Sequence, residues 1–505
     1  MKVEAIRLIN FMAFEDTGWI ELRPITLLFG RNSSGKSAII RALLLLKQSL
    51  DARGEEQPLA FVKEDGLVDL GNFQTTVHRK PGEGPSESQQ KDYLERSIVF
   101  GFRCDLTGET ALDQMRDLLK SGPAVSLSEE ALKQLVRVEL LIGFGLYEDS
   151  VKPNLLSLCA VGAESPVVLL QCARVAASDL TDVSFQHIFV LNSDVASDPN
   201  LDERTASLHL RDTSGFWTTF AAPLAPSSSF EKLDKLLFAV QAGVEAFLRK
   251  IAHIGPIRPQ PERMYALRAT DAPRYARDGL EGWYDFLRNR VAETDKATAI
   301  TKWMRRLGLA DKVNAWADGD KNPITRSQIL IDDKVANMNV KDVGFGASQV
   351  LPVIVAAVLA EPDSLVIIEQ PELHLHTSAQ IELGELFTRT LRTGARFLIE
   401  SHSEHMLLRF QRNVAISELL RLKCNQRSIT RERFKPPIKA IEVVVLFIER
   451  NHKEGLSTLE TIFLQDDGQV LEPSSAFQDF FRQDYDEVNA ILSVTAQLRS
   501  LKEQR

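Results

Sequence analysis

Gly30-Arg31-Asn32-Ser33-Ser34-Gly35-Lys36-Ser37 follows a short run of strand character, residues 26–29. It leads into Ile39, Ile40, Leu43, Leu44 and Leu46, the spacing of a helix with a mostly buried face. The octet matches G-x-x-x-x-G-K-[ST] in the strand–loop–helix setting that this pattern needs. The glycines let the backbone curl so that successive N–H groups point at phosphate oxygens, and the helix start adds partial positive charge. Gly30, Asn32, Ser33, Ser34 and Gly35 form the expected cradle. Lys36 is placed to bridge a β- and a γ-phosphate, and Ser37 to hold Mg²⁺. A chance glycine turn is the competing reading, and the intact motif in its proper setting outweighs it.

The other half of such a site is read downstream. Leu365-Val366-Ile367-Ile368-Glu369-Gln370-Pro371-Glu372 has four apolar residues ending in an acid, which predicts a buried parallel strand with Glu369 at its tip. A carboxylate there suits the water shell of Mg²⁺, which prefers hard oxygen ligands. A second apolar run, 396–399, lies beyond a helical stretch, giving the β–α–β rhythm of a parallel sheet. In Gly344-Phe345-Gly346-Ala347-Ser348-Gln349 two glycines allow close approach of a ligand to the backbone. The helix predicted to start there is an anion site, with Pro352 expected in its first turn; a glycine turn capped by serine is the plainer alternative. His402, in Glu400-Ser401-His402-Ser403, would by itself read as a capping or core histidine. Its place one strand beyond Glu369 turns the reading toward the phosphate site.

At 505 residues, 44% hydrophobic and 26% charged, the chain has the composition of a globular protein with one large core or several smaller ones. No apolar run reaches the roughly 20 residues that span a bilayer, and MKVEAIRLINF reads as a strand and not as a leader. The four cysteines, Cys104, Cys159, Cys172 and Cys424, form no CxxC pair; this excludes a zinc ribbon or hook and favours reduced thiols in the cytoplasm. A net charge of −9 excludes a surface that is basic throughout, so any nucleic-acid contact must be local.

Residues 81–96 read as a polar loop, and 97–215 as short strands of an antiparallel sheet, interrupted by a helix near 127–135. Helical patterns are read at 229–252 and 281–315, and one apolar strand, VVVLFIE, in the tail. The expected units are an N-terminal lobe with the phosphate loop (1–115), an inserted mostly-β subdomain (116–228), a helical region with the second lobe (229–412) and an accessory region (413–505). Neither a repeat nor a sustained heptad pattern is present, so no long coiled-coil arm is expected.

The string EQPELHLH, together with the glycine loop, resembles the Walker B region of ABC-type ATPases of the SMC-like and OLD-like branch. Residues 344–349 resemble the ABC signature, and 400–403 the switch-histidine region. Gly255-Pro256-Ile257-Arg258 resembles a motif of bacterial ATPases found in antiphage operons. The matching segments lie within 1–80 and 250–412. The resemblance implies an α/β fold: a P-loop head with a mixed central sheet, an attached antiparallel β subdomain and helical segments. It also implies ATP and Mg²⁺ as cofactors and a homodimer through the ATP sites, with higher oligomers open. In such a dimer Gly344, Gly346, Ser348 and Gln349 of one copy would meet the γ-phosphate held by the other.

One position departs from that pattern. The residue after the Walker B acid, usually a glutamate that polarises the attacking water, is Gln370. An amide cannot take the water's proton, which predicts slow hydrolysis and a long-lived ATP-bound dimer; Glu372 is a second candidate base. The basic stretch 409–435 carries Arg409, Arg412, Arg421, Lys423, Arg427, Arg431, Arg433 and Lys435 against Glu418 and Glu432. That local +6 suits nucleic acid and, equally, a solvated helix or a protein contact. Arg258 and Arg263 face an ATP interface in one reading and pack in the other. Asp484-Tyr485-Asp486 reads as surface charge and not as a nuclease centre. Two functions stay open: an ATP-binding sensor and scaffold of an antiphage complex, similar to the Septu-type ATPase that pairs with an HNH nuclease, and a DNA-maintenance ATPase. Gln370 and the missing arms favour the first.

Overall fold

The computed structural model describes residues 1–51, 58–63, 66–80, 96–106, 113, 136–147, 150–162, 167–174, 185–188, 209–212, 218–221, 228–258, 260–268, 295–318, 324–332, 337–426, 438–451 and 455–481. The expected helix near 127–135, the loop 81–95 and Asp484-Tyr485-Asp486 lie outside them.

The chain opens on an eight-stranded antiparallel sheet. Strands β1 (Lys2–Phe11), β2 (Phe14–Asp16) and β3 (Ile20–Glu21) are joined there by β5 (Ile98–Asp105), β6 (Arg137–Tyr147), β7 (Ser150–Val161), β8 (Val167–Arg174) and β9 (Phe185–Ile188). Their order is β2-β1-β5-β6-β7-β8-β9, with β3 on β1. The expected antiparallel sheet therefore begins with the first strand of the protein. A separate hairpin pairs β10 (His209–Asp212) with β11 (Thr218–Ala221).

The second sheet holds the site. It contains β4 (Ile25–Gly30), β12 (Ile251–Ile254), β17 (Leu365–Glu369), β18 (Arg396–Glu400), β19 (Val443–Asn451) and β20 (Leu456–Phe463), in the order β12-β17-β18-β4-β19-β20. All neighbours are parallel except the final pair. Side chains alternate between two cores: Leu365 and Ile367 enter one, Val366 and Ile368 the other. Burial on both faces explains why these strands read as continuous apolar runs. Each such side chain contributes about 1.5–3 kcal/mol by leaving water.

The first core is covered by α1 (Lys36–Asp51) and α3 (Ser228–Arg249) together with the antiparallel sheet. A one-turn helix, α2 (Phe73–Thr76), adds Phe73. The second core is covered by α4 (Asp295–Arg306), α5 (Phe345–Leu359), α6 (Thr377–Thr390) and α7 (Glu404–Gln426). None of the helices among the described residues is long and apolar enough to cross a membrane.

Three local expectations are corrected. The helical reading of 281–315 lies outside the described residues at 281–294, holds for α4 and then fails: Gly308, at φ +72°, ends the helix, and β14 (Lys312–Asp318) pairs with β15 (Ile324–Asp332). Two short strands, β13 (Tyr265–Arg268) and β16 (Asn337–Asn339), complete that small sheet. The tail carries two strands and not one, because β20 is half-buried and its hydrophobic pattern is weak. Pro352 is not in a first turn: α5 starts at Phe345, so the proline sits in the helix interior and cannot supply an N–H for the Ser348 carbonyl.

Candidate functional site

The phosphate loop leaves β4 at Gly30, whose φ is +148°. A side chain there would run into the Ile448 carbonyl of β19, so only glycine fits. Gly35, at φ +110°, has the same requirement: an added Cβ would lie 3.0 Å from that of Ala13. Ser33 is left-handed too, at φ +60°. The result is a tight loop that delivers Lys36 as the first residue of α1. Its side chain is buried and donates from Nζ to the carbonyls of Gly30 (2.8 Å) and Arg31 (2.9 Å). Burial lowers the Lys36 pKa, and the nearby Glu400 opposes that shift from 3.9 Å.

A cavity of about 750 Å³ opens over the loop. Asn32, Ser33, Ser34, Gly35, Lys36 and Ser37 line one side; Gln370, Glu400 and His402 line another. Ser34 Oγ is buried with no hydrogen-bond partner among the described residues. An unsatisfied hydroxyl, a helix start, a buried ammonium and the Ser37 hydroxyl form a donor set that fits a polyphosphate. Arg41, Arg79 and Arg450 reach the same cavity and add positive charge at its rim.

Glu369 and Glu400 end adjacent strands in register. Glu369 Oε1 lies 2.7 Å from His253 Nε2 at the end of β12. Glu400 was not singled out from sequence as a site residue, although it ends an apolar strand just as Glu369 does. Its pKa is raised to about 7, first by burial and then by the charge of Glu369, with Lys36 pulling the other way. Among the described residues no cluster of three or more His, Cys, Asp or Glu side chains could hold a metal unaided. Ser37 and the carboxyl pair instead suit a hard cation that takes its remaining ligands from phosphate and water, as Mg²⁺ does.

The raised Glu400 pKa has a measurable sign. The folded protein keeps this proton where the unfolded chain, with a carboxyl near 4.5, releases it, so stability falls as pH rises from about 4.5 through 7. The Glu400→Gln protein, without nucleotide, should escape that fall. Its melting temperature relative to wild type should increase between pH 5 and pH 8, corresponding to about 3 kcal/mol at most for a shift from 4.5 to about 7. Parallel melting curves across that range would contradict the assignment.

A second network backs the cavity. Gln370 is left-handed (φ +44°), and its N–H donates to the Glu400 carbonyl at 2.7 Å. Arg258, only 3% exposed, donates from Nη2 to the carbonyls of Glu369 (2.8 Å) and Gln370 (3.3 Å). Burial lowers its pKa to about 10, which leaves it charged at neutral pH. Glu372 Oε1 accepts the His402 N–H at 2.7 Å. Burial raises the Glu372 pKa, against hydrogen bonds and the Arg258 charge. Burial and the Lys36 charge lower that of His402, keeping the imidazole neutral.

The structure thus brings Gln370 and His402 to the phosphate loop and keeps Glu372 behind them. Glu369, expected from sequence at the metal, does not line the cavity; its neighbour Glu400 does. Gly344, Gly346, Ser348 and Gln349 do not line the cavity of their own chain. Gly344 is exposed, whereas Ser348 is buried in the first turns of α5, and Gln349 Nε2 donates to the Arg258 carbonyl at 3.1 Å. Arg258 is therefore internal to the chain, while Arg263 forms an exposed pair with Asp342. In the basic stretch, Arg409 pairs with Glu382 and Glu385, and Arg421 with Glu418. The Lys423 side chain, Arg427, Arg431, Arg433 and Lys435 lie outside the described residues.

Two family models match the sequence. Residues 1–87 match "AAA ATPase domain", and residues 210–407 match "AAA domain, putative AbiEii toxin, Type IV TA system". No curated protein matches the chain. Among solved structures, an SMC head bound to the C-terminal winged-helix domain of ScpA is similar at 9% identity and a TM-score of 0.42, over 92% of this chain and 98% of that one. The SMC head domain from Thermotoga maritima is similar at 9% identity and 0.35, over 91% and 98%. A Pyrococcus furiosus SMC head with an extended coiled coil, bound to the C-terminal domain of ScpA, gives 8% and 0.39, over 92% and 96%. The two family matches bracket the loop at residues 30–37 and the acid at 369, and with the strand–loop–helix geometry they support a P-loop ATPase of the AAA type.

Proposed function

We propose that the chain binds ATP with Mg²⁺, hydrolyses it slowly, and pairs face to face with a second copy. The observation that carries this reading is the shared cavity: Gln370 and His402 line the same space as Lys36 and Ser37. Bound Mg²⁺ would neutralise phosphate charge there and be held through Ser37, with the Glu369–Glu400 pair toward its water shell. Lys36 binds the β- and γ-phosphates, the loop N–H groups orient them, and His402, neutral, offers a hydrogen bond at the γ-phosphate end. Gln370 positions water without taking its proton. The exposed start of α5, at Gly344, closes the partner's cavity, whereas Ser348 and Gln349 are buried within their own chain. Of the units 1–115, 116–228, 229–412 and 413–505, the first two share the antiparallel sheet and the last adds β19 and β20 to the sheet that holds the site, so the lobes work as one head.

In this reading the ATP-bound pair is the sensor and scaffold of a bacterial antiphage complex, cytoplasmic, with a separate nuclease such as an HNH protein as effector. Slow turnover suits a state that persists. A family description naming a toxin of a toxin–antitoxin system fits a conditional response better than constant housekeeping. Co-purification with the products of flanking genes, followed by mass measurement, tests the partner. DNA-stimulated turnover with no bound partner would replace this reading with DNA maintenance.

Pairing itself is tested at Gly344. An added Cβ there meets nothing within 4 Å, and φ −58° suits any residue, so Gly344→Arg leaves the fold intact. ATP affinity of the single chain should stay unchanged, while ATP-dependent dimerisation weakens by about tenfold or more from a charge placed in the interface. Normal dimerisation of this variant in sedimentation would refute the face-to-face arrangement.

A further inference from the structure

Arg258 occupies a costly position. Its guanidinium is buried, and Nε and Nη1 have no hydrogen-bond partner among the described residues. A group kept only for packing would be better replaced by an apolar chain of similar length. What the guanidinium does make is one directed contact, to the two consecutive carbonyls of Glu369 and Gln370. Those carbonyls sit where the strand turns into the left-handed Gln370, a conformation that persists only when its surroundings enforce it. Arg258 also faces Glu372, which accepts the His402 N–H and is hydrogen-bonded by Ser401. One buried arginine therefore contacts Gln370 directly and faces the carboxylate that holds the His402 N–H.

The main chain of Arg258 is held in turn by α5. Gln349 donates its amide to the Arg258 carbonyl. Independently, Gly346 comes so close to the same turn that a Cβ would lie 3.0 Å from the His374 carbonyl. Residues 344–349 thus meet the Gln370–His374 turn directly at Gly346 and indirectly through Arg258. We infer that Arg258 is a positioning residue that links the start of α5 to Gln370 and His402, so that contact of one copy's α5 with a partner is felt at its own cavity. This rests on the paired, ATP-binding reading above. A partner phosphate against α5 biases the helix start; Gln349 and Gly346 pass that bias to the turn, and Arg258 sets the Gln370 side chain against the attacking water.

The experiment compares wild type, Arg258→Met and Gln349→Met in the full-length protein with Mg²⁺ and ATP. It reads ATP affinity, ATP-dependent pairing and single-turnover rate as functions of protein concentration. Arg258 and Gln349 are both buried and neither lines the cavity, so ATP Kd should change less than about threefold, and pairing should persist. The wild-type rate should rise with concentration as pairs form, whereas in both variants that rise should shrink by about tenfold. A rate lost in step with ATP binding, or variants stimulated like wild type, would overturn the inference alone. Should Arg258→Met fail to fold, Gln349→Met leaves the guanidinium in place and decides the question. A wild-type rate independent of concentration would overturn the pairing and the inference together, and sedimentation of the same samples tells the two failures apart.

Discussion

Lys36→Ala is expected to abolish ATP binding. The ammonium is buried at the floor of the cavity and already aimed along the loop, bonded to the carbonyls of Gly30 and Arg31. A polyphosphate in the cradle would place its β- and γ-oxygens within reach of the same nitrogen. Each charge-assisted hydrogen bond lost there is worth roughly 1.5–3 kcal/mol, so two of them amount to a weakening of about 100-fold or more. The fold should survive, because burial already disfavours the charged lysine and alanine suits the first turn of a helix. Equilibrium binding of a fluorescent ATP analogue, with the melting temperature as a folding control, checks this. Nucleotide retained at wild-type stoichiometry would remove the basis of the proposed function.

The parts of this site that could be read from sequence are those built from neighbouring residues. The loop at 30–37 is complete within one octet, and β17 announces itself by four apolar residues and an acid. Glu400 carries the same local signal at the end of β18, but its significance depends on lying beside Glu369, which only strand order reveals. His253 could not be read as a site residue at all, because its partner Glu369 is 116 positions away. Arg258 looked equally suited to an interface or to packing; burial against carbonyls more than a hundred residues distant decides that it is internal. Ser348 shows the opposite difficulty. Its glycine-rich setting marked a helix start, yet the helix begins three residues earlier, at Phe345, and the exposed position is Gly344. The strands β14 and β20 carry a weak signal for a related reason: β14 belongs to a small sheet and β20 is a half-buried edge strand, so neither has the long apolar run of a core strand.

Gln370→Glu is expected to speed hydrolysis. Gln370 lines the cavity, and its backbone is held by the Glu400 carbonyl and by Arg258. The exchange of amide for carboxylate is nearly isosteric, and the left-handed φ of +44° suits either residue equally. The carboxylate supplies the proton acceptor that the amide lacks, and general-base help is worth about 10²–10⁴ in favourable cases. Here the new charge stands close to Glu369 and Glu400, which should hold the gain near the lower end. Wild-type turnover should lie well below the roughly 10 s⁻¹ median of enzymes, and the life of the ATP-bound pair should shorten in the variant as the rate rises. Glu372 offers the competing outcome. If it were the base, Glu372→Gln would stop turnover and Gln370→Glu would do little. The geometry argues otherwise: Glu372 is buried, does not line the cavity, and spends one oxygen on the His402 N–H. A glutamine at 372 keeps an oxygen that can accept that bond, so Glu372→Gln should leave single-turnover hydrolysis within about threefold of wild type. Brisk wild-type hydrolysis, insensitive to both substitutions, would show that neither residue 370 nor residue 372 governs the attacking water.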